Sequence, residues 1–468
     1  MSAATPPLHV IVLAAGQGTR MKSALPKVLH PVGGKPMLAH VLEAAQALGA
    51  SACHVVHGHG AQAVRDWHAA QPAAGAVHWV LQAEQLGTAH AVIQALPGIP
   101  DAAQVMILYG DVPLIGATTL QALQRAGAGS LALVTVRLAD PRGYGRILRG
   151  ADGEIRGIVE ENDASAEQKQ INEINTGLMS APAAQLKGWL ARVGNHNAKG
   201  EYYLTDTVAL AAAAGHPVVA VMAASAEEVE GVNDRVQLAR AERHYQRAQA
   251  ERLLREGVQI ADPARFDLRG TLACGRDVQF DVGTVLEGQV QLADGVRIGP
   301  YCLLRNVRLG PGSVVEAHSV LDGVNAGAGV HIGPFARLRP GTELADQARI
   351  GNFVETKQAR IGRGSKVNHL SYIGDAELGQ DVNVGAGTIT CNYDGANKHQ
   401  TRIGDRAFIG SNSALVAPLE IGAGATVGAG STLTKDAPAG QLTVARGKQI
   451  TVTGWKRPVK AGGKPAKD

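Results

Sequence analysis

This 468-residue chain lacks long apolar runs, paired cysteines and a strong charge of one sign. No uninterrupted apolar stretch approaches the roughly 20 residues of a membrane span, and no charged N-terminal segment leads into a long apolar one. The four cysteines are scattered without a CxxC spacing, which argues against a disulfide framework and against a zinc site. We therefore expect a reduced, cytoplasmic protein.

Charge and aromatic content exclude further classes of protein. A net charge of +4 is small for this length, so electrostatics imply neither a nucleic-acid partner nor a membrane surface. Aromatic residues make up only 4% of the chain, whereas glycine occurs 58 times. Because 468 residues exceed what one hydrophobic core usually serves, we expect two or three domains.

The second half of the chain, from position 298 to 428, repeats an aliphatic residue followed by glycine, mostly at multiples of six. The aliphatic members are Ile332, Ile350, Ile361, Ile373, Leu378, Val384, Ile403, Ile409, Ile421 and Val427. A short fixed period marks a solenoid, with three turns making one coil of about 18 residues. The pattern resembles the left-handed parallel β-helix of hexapeptide acyltransferases, which implies a homotrimer with active sites between subunits.

The first half alternates short apolar runs with helix-like stretches. The runs are 8–14, 53–56, 105–109, 131–136 and 218–222, and the clearest helical stretches are 37–48 and 88–95. This alternation predicts an α/β domain with a mainly parallel sheet. From Arg235 to Glu256 the apolar residues recur near helical spacing, which predicts one long helix between the two halves.

A glycine-rich turn follows the first apolar run, with the letters LAAGQGTRM at 13–21 and LPK at 25–27. A strand that runs into such a turn lets backbone N–H groups approach phosphate oxygens. The spacing matches neither a Walker A loop nor GxGxxG. It resembles the signature of sugar-nucleotide pyrophosphorylases, in which Arg20 and Lys27 would neutralise triphosphate charge. The resemblance implies nucleotide contacts at Leu13, Ala14, Ala15 and Gly16 as well.

A carboxylate follows the apolar strand 105–108, in the sequence Tyr109-Gly110-Asp111. Ligands of open α/β sheets bind beyond the carboxyl ends of strands, where Asp111 could hold Mg²⁺ against phosphate oxygens. An isolated Asp there more often closes a turn or caps a helix. The family resemblance adds Asn233 as a neutral oxygen ligand, and Mg²⁺ needs only one or two protein oxygens.

Three more segments resemble the same pyrophosphorylases. Gln82 with Gly87 and Thr88 matches the stretch that reads the uracil ring. Gly145, Glu160 and Asn175 match the segments that hold the sugar. Each residue has a plain structural alternative as a turn, a surface acid or a cap, and the order along the chain is what favours the functional interpretation.

In the β-helix half, the residues that interrupt the repeat are the informative ones. The segment from Thr390 to Lys398 has no inward aliphatic series, and we expect it to leave the coil as a loop. His369 lies in KVNHLSYIG (366–374), which resembles the acetyltransferase motif whose histidine is the base. An imidazole titrates near the working pH and suits proton removal from an attacking amine, although a lone histidine on a coil is more often structural.

Taken over the whole chain, the sequence resembles the bacterial bifunctional N-acetylglucosamine-1-phosphate uridylyltransferases and glucosamine-1-phosphate N-acetyltransferases. That family acetylates glucosamine 1-phosphate with acetyl-CoA, then couples N-acetylglucosamine 1-phosphate with UTP, using Mg²⁺. The resemblance implies sugar-phosphate contacts at Arg339, Lys357, Tyr372 and Asn383. It implies acetyl-CoA contacts at Ala386, Asn392, Tyr393, Ser411, Ala429 and Arg446.

The resemblance also gives a domain plan. We expect a Rossmann-like mixed-sheet nucleotidyltransferase domain at 1–234, a linker helix at 235–256, a left-handed β-helix at 257–446 and a tail at 447–468. One alternative is a pyrophosphorylase of single activity whose β-helix is structural or regulatory. A pure scaffold is the other, and it would leave Lys27, Asp111 and Asn233 unexplained.

Overall fold

The computed structural model describes residues 6–16, 18–58, 61–71 and 76–458. Its internal contacts divide the chain into two compact units. The first extends to Glu256 and includes Asp262–Thr271, and the second includes Gly257–Ala261 and continues from Leu272. Gln17 of the glycine-rich turn and positions 459–468 of the expected tail lie outside the described residues.

The first unit alternates strands and helices. Its strands are β1 Leu8–Ala14, β2 Pro31–Val32, β3 Lys35–Pro36, β4 Ala52–His57, β5 Val77–Leu81, β6 Gln104–Tyr109, β7 Leu131–Arg137, β8 Arg146–Arg149, β9 Ile155–Val159, β10 Glu173–Pro182 and β11 Val218–Met222. Its helices are α1 Met37–Ala47, α2 Ala61–Ala69, α3 Thr88–Ala95, α4 Ala117–Ala126, α5 Ala183–Leu190, α6 Asp206–Ala213 and α7 Arg235–Arg255.

The main sheet has the strand order β11-β7-β10-β6-β1-β4-β5. Along this path the pairs are parallel except that β10 runs antiparallel to both β6 and β7. Leu13 at the end of β1 lies opposite Tyr109 at the end of β6. The segments that follow β1 and β6 therefore leave the same edge of the sheet side by side.

Alternation along the strands builds two cores, one on each face of the sheet. Ile11 and Ile107 pack with apolar residues of α3, α5 and α6, whereas Val12 and Leu108 pack with those of α1 and α4. Side chains of successive strand residues point to opposite faces, so strands covered on both sides are apolar throughout. Burial of each such side chain stabilises the fold by about 1.5–3 kcal/mol.

The long helix α7 begins at a strong capping residue. The carboxylate of Asp234 accepts hydrogen bonds from the amides of Val236 and Gln237 at 2.9 and 2.8 Å, and such an N-cap stabilises a helix by about 1 kcal/mol. Ala241 packs in a small cluster with Met37 and other residues of the first unit. The helix therefore buries a narrow apolar stripe, while most of its Arg and Glu side chains face solvent.

The second unit is a stack of short strands that begins with β12 Gln259–Ile260 and includes the last residues of β13 Asp267–Cys274. The remaining strands are β14 Gln279–Phe280, β15 Val285–Leu292, β16 Arg297–Ile298, β17 Leu303–Arg305, β18 Arg308–Leu309, β19 Val314–Val315, β20 Val320–Asp322, β21 Val324–Ala326, β22 His331–Ile332, β23 Arg337–Leu338, β24 Thr342–Leu344, β25 Arg349–Asn352, β26 Glu355–Ile361, β27 Lys366–His369, β28 Tyr372–Leu378, β29 Asn383–Val384, β30 Ile389–Cys391, β31 Thr401–Ile403, β32 Phe408–Ile409, β33 Ala414–Val416, β34 Leu419–Ile421, β35 Thr426–Val427, β36 Thr432–Leu433 and β37 Leu442–Thr443.

The predicted aliphatic repeat forms the interior of this left-handed parallel β-helix. Parallel pairing stacks one member of each coil directly on the next, in the file Ile332, Ile350, Val367, Val384, Ile409 and Val427. All six side chains are buried. Each coil thus contributes one apolar side chain to this file, and rows on the other faces, such as Leu344 on Ile361, complete a continuous thin core. The hexapeptide prediction is confirmed.

The predicted loop from Thr390 to Lys398 begins too early. Thr390 and Cys391 belong to β30, which pairs with β33, and the Thr390 side chain is fully buried. Its hydroxyl accepts from the amide of Gly374 at 2.8 Å and donates to the same residue's carbonyl at 2.9 Å. The prediction was wrong there because it counted only aliphatic residues as inward-facing.

Candidate active sites in the two units

The glycine-rich turn brings Lys27 to the end of β1. Gly18 has a φ of 64°, a left-handed conformation that favours glycine. A Cβ at Gly18 would lie 2.7 Å from the Cβ of Lys27, so a side chain there would displace the lysine. The turn is also tied to the neighbouring strand, because the amide of Gly110 donates to the carbonyl of Leu13 at 2.9 Å.

Lys27, Asp111 and Asn233 meet at the carboxyl edge of the sheet. The Lys27 ammonium donates to the Asp111 carboxylate, and to Oδ1 of Asn233 at 3.2 Å. The side chains of Lys27 and Asp111 are only 13% and 16% exposed. A carboxylate oxygen of Asp111 and the amide oxygen of Asn233, both of a kind that binds hard cations, thus contact the Lys27 ammonium.

A cleft of about 320 Å³ opens beside this group. It is lined by Leu13, Ala14, Ala15, Gly16, Lys27, Val28, Gln82, Gln85, Gly87, Thr88, Ala91, Tyr109, Asp111 and Glu201. The structure therefore collects most of the residues predicted to bind the nucleotide into one cavity. Residues 13–16 form one wall of the cleft, and backbone N–H groups of such a turn are suited to phosphate oxygens.

The amide of Gln82 is held in place at one side of this cleft. Its Nε2 donates to the carbonyl of Gly87 at 3.2 Å and lies 3.1 Å from Nδ1 of His90. Gly87 has a φ of 113°, and a Cβ there would lie 2.5 Å from the carbonyl oxygen of Tyr202. The two contacts of Nε2 fix the orientation of the Gln82 amide, and the close approach of Tyr202 explains why position 87 is a glycine.

The three residues predicted to hold the sugar lie close to one another. The amide of Asn175 donates to the carbonyl of Gly145 at 2.9 Å, and a Cβ at Gly145 would lie 3.4 Å from Oε1 of Glu160. Burial, followed by the charges of Asp111 and Glu160, raises the pKa of Tyr109. The Tyr109 side chain is therefore an uncharged phenol that lies near both carboxylates.

Not every predicted residue joins the cleft, and some members were not predicted. Arg20 is exposed and makes no hydrogen bond or ion pair with another described residue. Gln85 was missed, although its Nε2 donates to the carbonyl of Ala15 at 2.7 Å and braces the turn. Glu201 was also missed, because nothing in the local sequence links it to residues a hundred positions away.

In the second unit, His369 ends β27 at a corner of the coil. Its Nδ1 lies 2.8 Å from Oδ1 of Asn352 on the adjacent coil. The hydroxyl of Ser371 donates to the carbonyl of His369 at 2.8 Å, which secures the turn after it. The imidazole is exposed on the coil surface and can be reached by a substrate.

Asp375 was not predicted as a site residue, but it lies beside two residues that were, Asn392 and Lys357. Asp375 accepts a hydrogen bond from Nδ2 of Asn392 and lies 3.9 Å from the ammonium of Lys357. Lys398 lies in the loop between β30 and β31 and faces Lys357, whose closely placed ammonium lowers the pKa of Lys398. Two ammonium groups at one point provide charge-assisted donors for an anion.

The other predicted residues of this unit spread over neighbouring coils. Arg339 donates to Glu355 at 2.9 Å, Tyr372 contacts Asn392 at 3.5 Å, and Arg446 donates to the carbonyl of Ala429 at 2.8 Å. The remaining positions lie along the same stack of coils: Asn383, Ala386, Tyr393 and Ser411.

Comparisons with known proteins match both units. Residues 10–252 match the MobA-like NTP transferase domain, and residues 400–435 match the hexapeptide repeat of succinyl-transferase. The chain is 62% identical to the bifunctional protein GlmU of Alkalilimnicola ehrlichii over 96% of both chains. It is 56% identical to that of Marinobacter nauticus, over 97% of this chain and all of the relative.

Part of the chain also resembles a solved structure. A UDP-glucose pyrophosphorylase complexed with UDP-glucose matches with a TM-score of 0.44 at 17% identity, over 51% of this chain and 98% of that one. A likeness of this size carries no argument about function. None of the described helices combines the length and apolar character that a bilayer crossing requires.

Proposed function

This chain belongs to the family of bifunctional GlmU proteins, and we propose how its two units perform the two reactions. The enzyme transfers an acetyl group from acetyl-CoA to glucosamine 1-phosphate and a uridylyl group from UTP to N-acetylglucosamine 1-phosphate. The first unit carries the uridylyl transfer, since it matches the nucleotidyltransferase model. The second unit, with its hexapeptide repeat, carries the acetyl transfer.

In uridylyl transfer, the sugar phosphate attacks the α-phosphorus of UTP and pyrophosphate leaves. Negative charge accumulates on the leaving group, so fixed positive charge and backbone donors stabilise the transition state. Lys27 and the glycine-rich turn supply both at one wall of the cleft, and Arg20 lies beside them at the surface. The buried Gln82 amide selects the base, and Gly145, Glu160 and Asn175 hold the sugar.

We assign Asp111 and Asn233 as the protein ligands of Mg²⁺. Their oxygens already converge on the Lys27 ammonium, and carboxylate and amide oxygens suit this hard cation. When bound, the ion clamps phosphate oxygens and stabilises charge on the leaving pyrophosphate. No cluster of three or more His, Cys, Asp or Glu side chains suited to a metal occurs among the described residues.

In acetyl transfer, the amine of glucosamine 1-phosphate attacks the thioester carbonyl of acetyl-CoA and must lose a proton. We assign His369 as the base, since its imidazole is exposed on the coil surface and its Nδ1 contacts Asn352. Lys357, Lys398 and Arg339 bind the sugar phosphate with Tyr372 and Asn383. Asn392 with Tyr393, and the coil positions Ala386, Ser411, Ala429 and Arg446, bind acetyl-CoA.

One observation favours two activities over a single-activity pyrophosphorylase. A structural coil needs neither an exposed histidine held by a hydrogen bond nor two facing lysines near a hydrogen-bonded carboxylate. The test is one reaction mixture with glucosamine 1-phosphate, acetyl-CoA, UTP and Mg²⁺, in which free thiol and pyrophosphate are followed separately. Thiol release without UTP supports the proposal. If pyrophosphate is released only when N-acetylglucosamine 1-phosphate is supplied, the β-helix catalyses no acetyl transfer and the proposal is wrong.

We also propose a cytoplasmic homotrimer. On the second unit the rings of Tyr301, His318, Phe335 and Phe353 stack with centroids 5.2, 4.9 and 5.4 Å apart. Tyr301, Phe335 and Phe353 are about half exposed. Exposed apolar patches of this kind favour association between chains. The free, buried thiols of Cys53 and Cys302 suit a reducing compartment. Light scattering that gives three chains supports the assembly.

A further inference from the structure

The imidazole of His369 is held from one side by the strand on which it stacks. Asn352 and His369 lie opposite each other where β25 and β27 pair in parallel, and their side chains meet at 2.8 Å. The backbone reinforces this contact, because the amide of Leu370 donates to the carbonyl of Asn352 at 3.0 Å. Nε2 of His369 has no hydrogen-bond partner among the described residues.

We propose that Asn352 is a positioning residue that fixes His369 in the tautomer with its proton on Nδ1. A carbonyl oxygen only accepts hydrogen bonds, so the ring nitrogen that faces Oδ1 must be the donor. Neutral imidazole carries one such proton, and Nε2 then keeps its lone pair for the proton of the attacking amine. The inference rests on the base role proposed above for His369 and identifies the nitrogen that acts.

The other charged neighbours of His369 cannot take over this role. His331 and Arg349 line the same groove, and Lys366 lies on the same strand as His369. Arginine and lysine side chains are donors only, so neither can accept the Nδ1 proton. His331 is instead 3.4 Å from the carboxylate of Glu316. Asn352 is therefore the acceptor that the ring meets within the described part of the chain.

The test compares the pH profile of acetyl transfer in three full-length variants. Asn352→Leu removes the acceptor, and we expect the plateau rate to fall about tenfold, the equivalent of one hydrogen bond. Asn352→Asp keeps an acceptor and adds a charge that favours the imidazolium. Its acid limb should move to higher pH by about one unit or more, while the plateau stays within a few-fold of wild type. Asn325→Asp adds the same charge on an exposed strand position of another coil face and should change neither.

Two further measurements separate the possible failures. Uridylyl transfer and light scattering of each variant report whether the chain is folded and assembled. An Asn352→Asp variant whose plateau falls with no displacement of the acid limb would show that Asn352 is only structural, and the inference would be wrong. His369→Ala serves as the reference: if it keeps the wild-type rate, the base role itself fails, whatever the Asn352 variants do.

Discussion

The ion pair between Lys27 and Asp111 allows a prediction that combines stability with activity. Both side chains are mostly buried, at 13% and 16% exposed, so removal of one partner leaves the other charge in a poorly solvated place. Such a break costs about 3–5 kcal/mol when burial is complete. Since water reaches part of this pair, we expect about 2 kcal/mol for Lys27→Met or for Asp111→Asn alone.

The double variant should cost less than the sum of the two single variants. With both charges gone, neither is left unpaired, so we expect a coupling free energy of at least about 1 kcal/mol, within the usual range for contacting residues. Arg142 and Asp140 form a matched exposed pair, with side chains 83% and 57% exposed. The same cycle there should give a coupling below about 0.5 kcal/mol, as exposed pairs do.

Urea unfolding followed by tryptophan fluorescence measures the free energy of unfolding of the first unit, which contains this ion pair. Trp67, Trp79 and Trp189 all belong to the first unit, so the signal reports mainly on its unfolding. In the same preparations Asp111→Asn should lower pyrophosphate release by at least about 10²-fold, as loss of transition-state charge stabilisation does. Acetyl transfer should stay near normal.

Two outcomes would refute this reasoning. Coupling at the buried pair no larger than at the exposed pair would mean that solvent compensates either charge. An equal loss of both activities in the Asp111→Asn variant would mean that the two units do not work independently.

Further predictions concern His369, Lys357, stability at acid pH and the isolated second unit. His369→Ala should lower acetyl transfer by roughly 10²–10⁴-fold with uridylyl transfer unchanged, and a variant that keeps more than about a tenth of the rate would contradict the base role. Lys357→Met should raise KM for glucosamine 1-phosphate more than it lowers kcat, because the lysine binds a group remote from the reaction; initial rates over a range of the sugar phosphate measure both. Burial, followed by His78 and His9, lowers the pKa of His54 from 6.5 to about 4. Because the folded value lies below the unfolded one, the free energy of unfolding should fall as pH drops from 6.5 towards 4, and His54→Gln should flatten that slope in urea titrations. A fragment from Gly257 onward should acetylate glucosamine 1-phosphate as three chains in light scattering, and an active monomer would exclude sites between subunits.

Much of the candidate site for uridylyl transfer was predictable because its residues follow strands. A glycine-rich turn after β1 and a carboxylate after β6 can both be recognised locally, and parallel strands bring their ends to one edge. Asn233 is different. It meets Lys27 across 206 positions of sequence, and only the family resemblance suggested it. Glu201 and Gln85 had no local signal at all, since they join the cleft through loops whose course depends on packing.

The sequence by itself determined the β-helix, because each six-residue turn repeats the same local rule of one inward aliphatic residue near a tight corner. Only the tertiary structure decided which residues meet between coils. Asn352 reaches His369, and Asp375 reaches Asn392, each at a separation of 17 residues, a distance set by the length of one coil and by the register of pairing. Thr390 likewise faces inward because Gly374 satisfies its hydroxyl. Periodicity encodes burial, whereas contact between polar side chains depends on coil register, and register is a property of the folded stack.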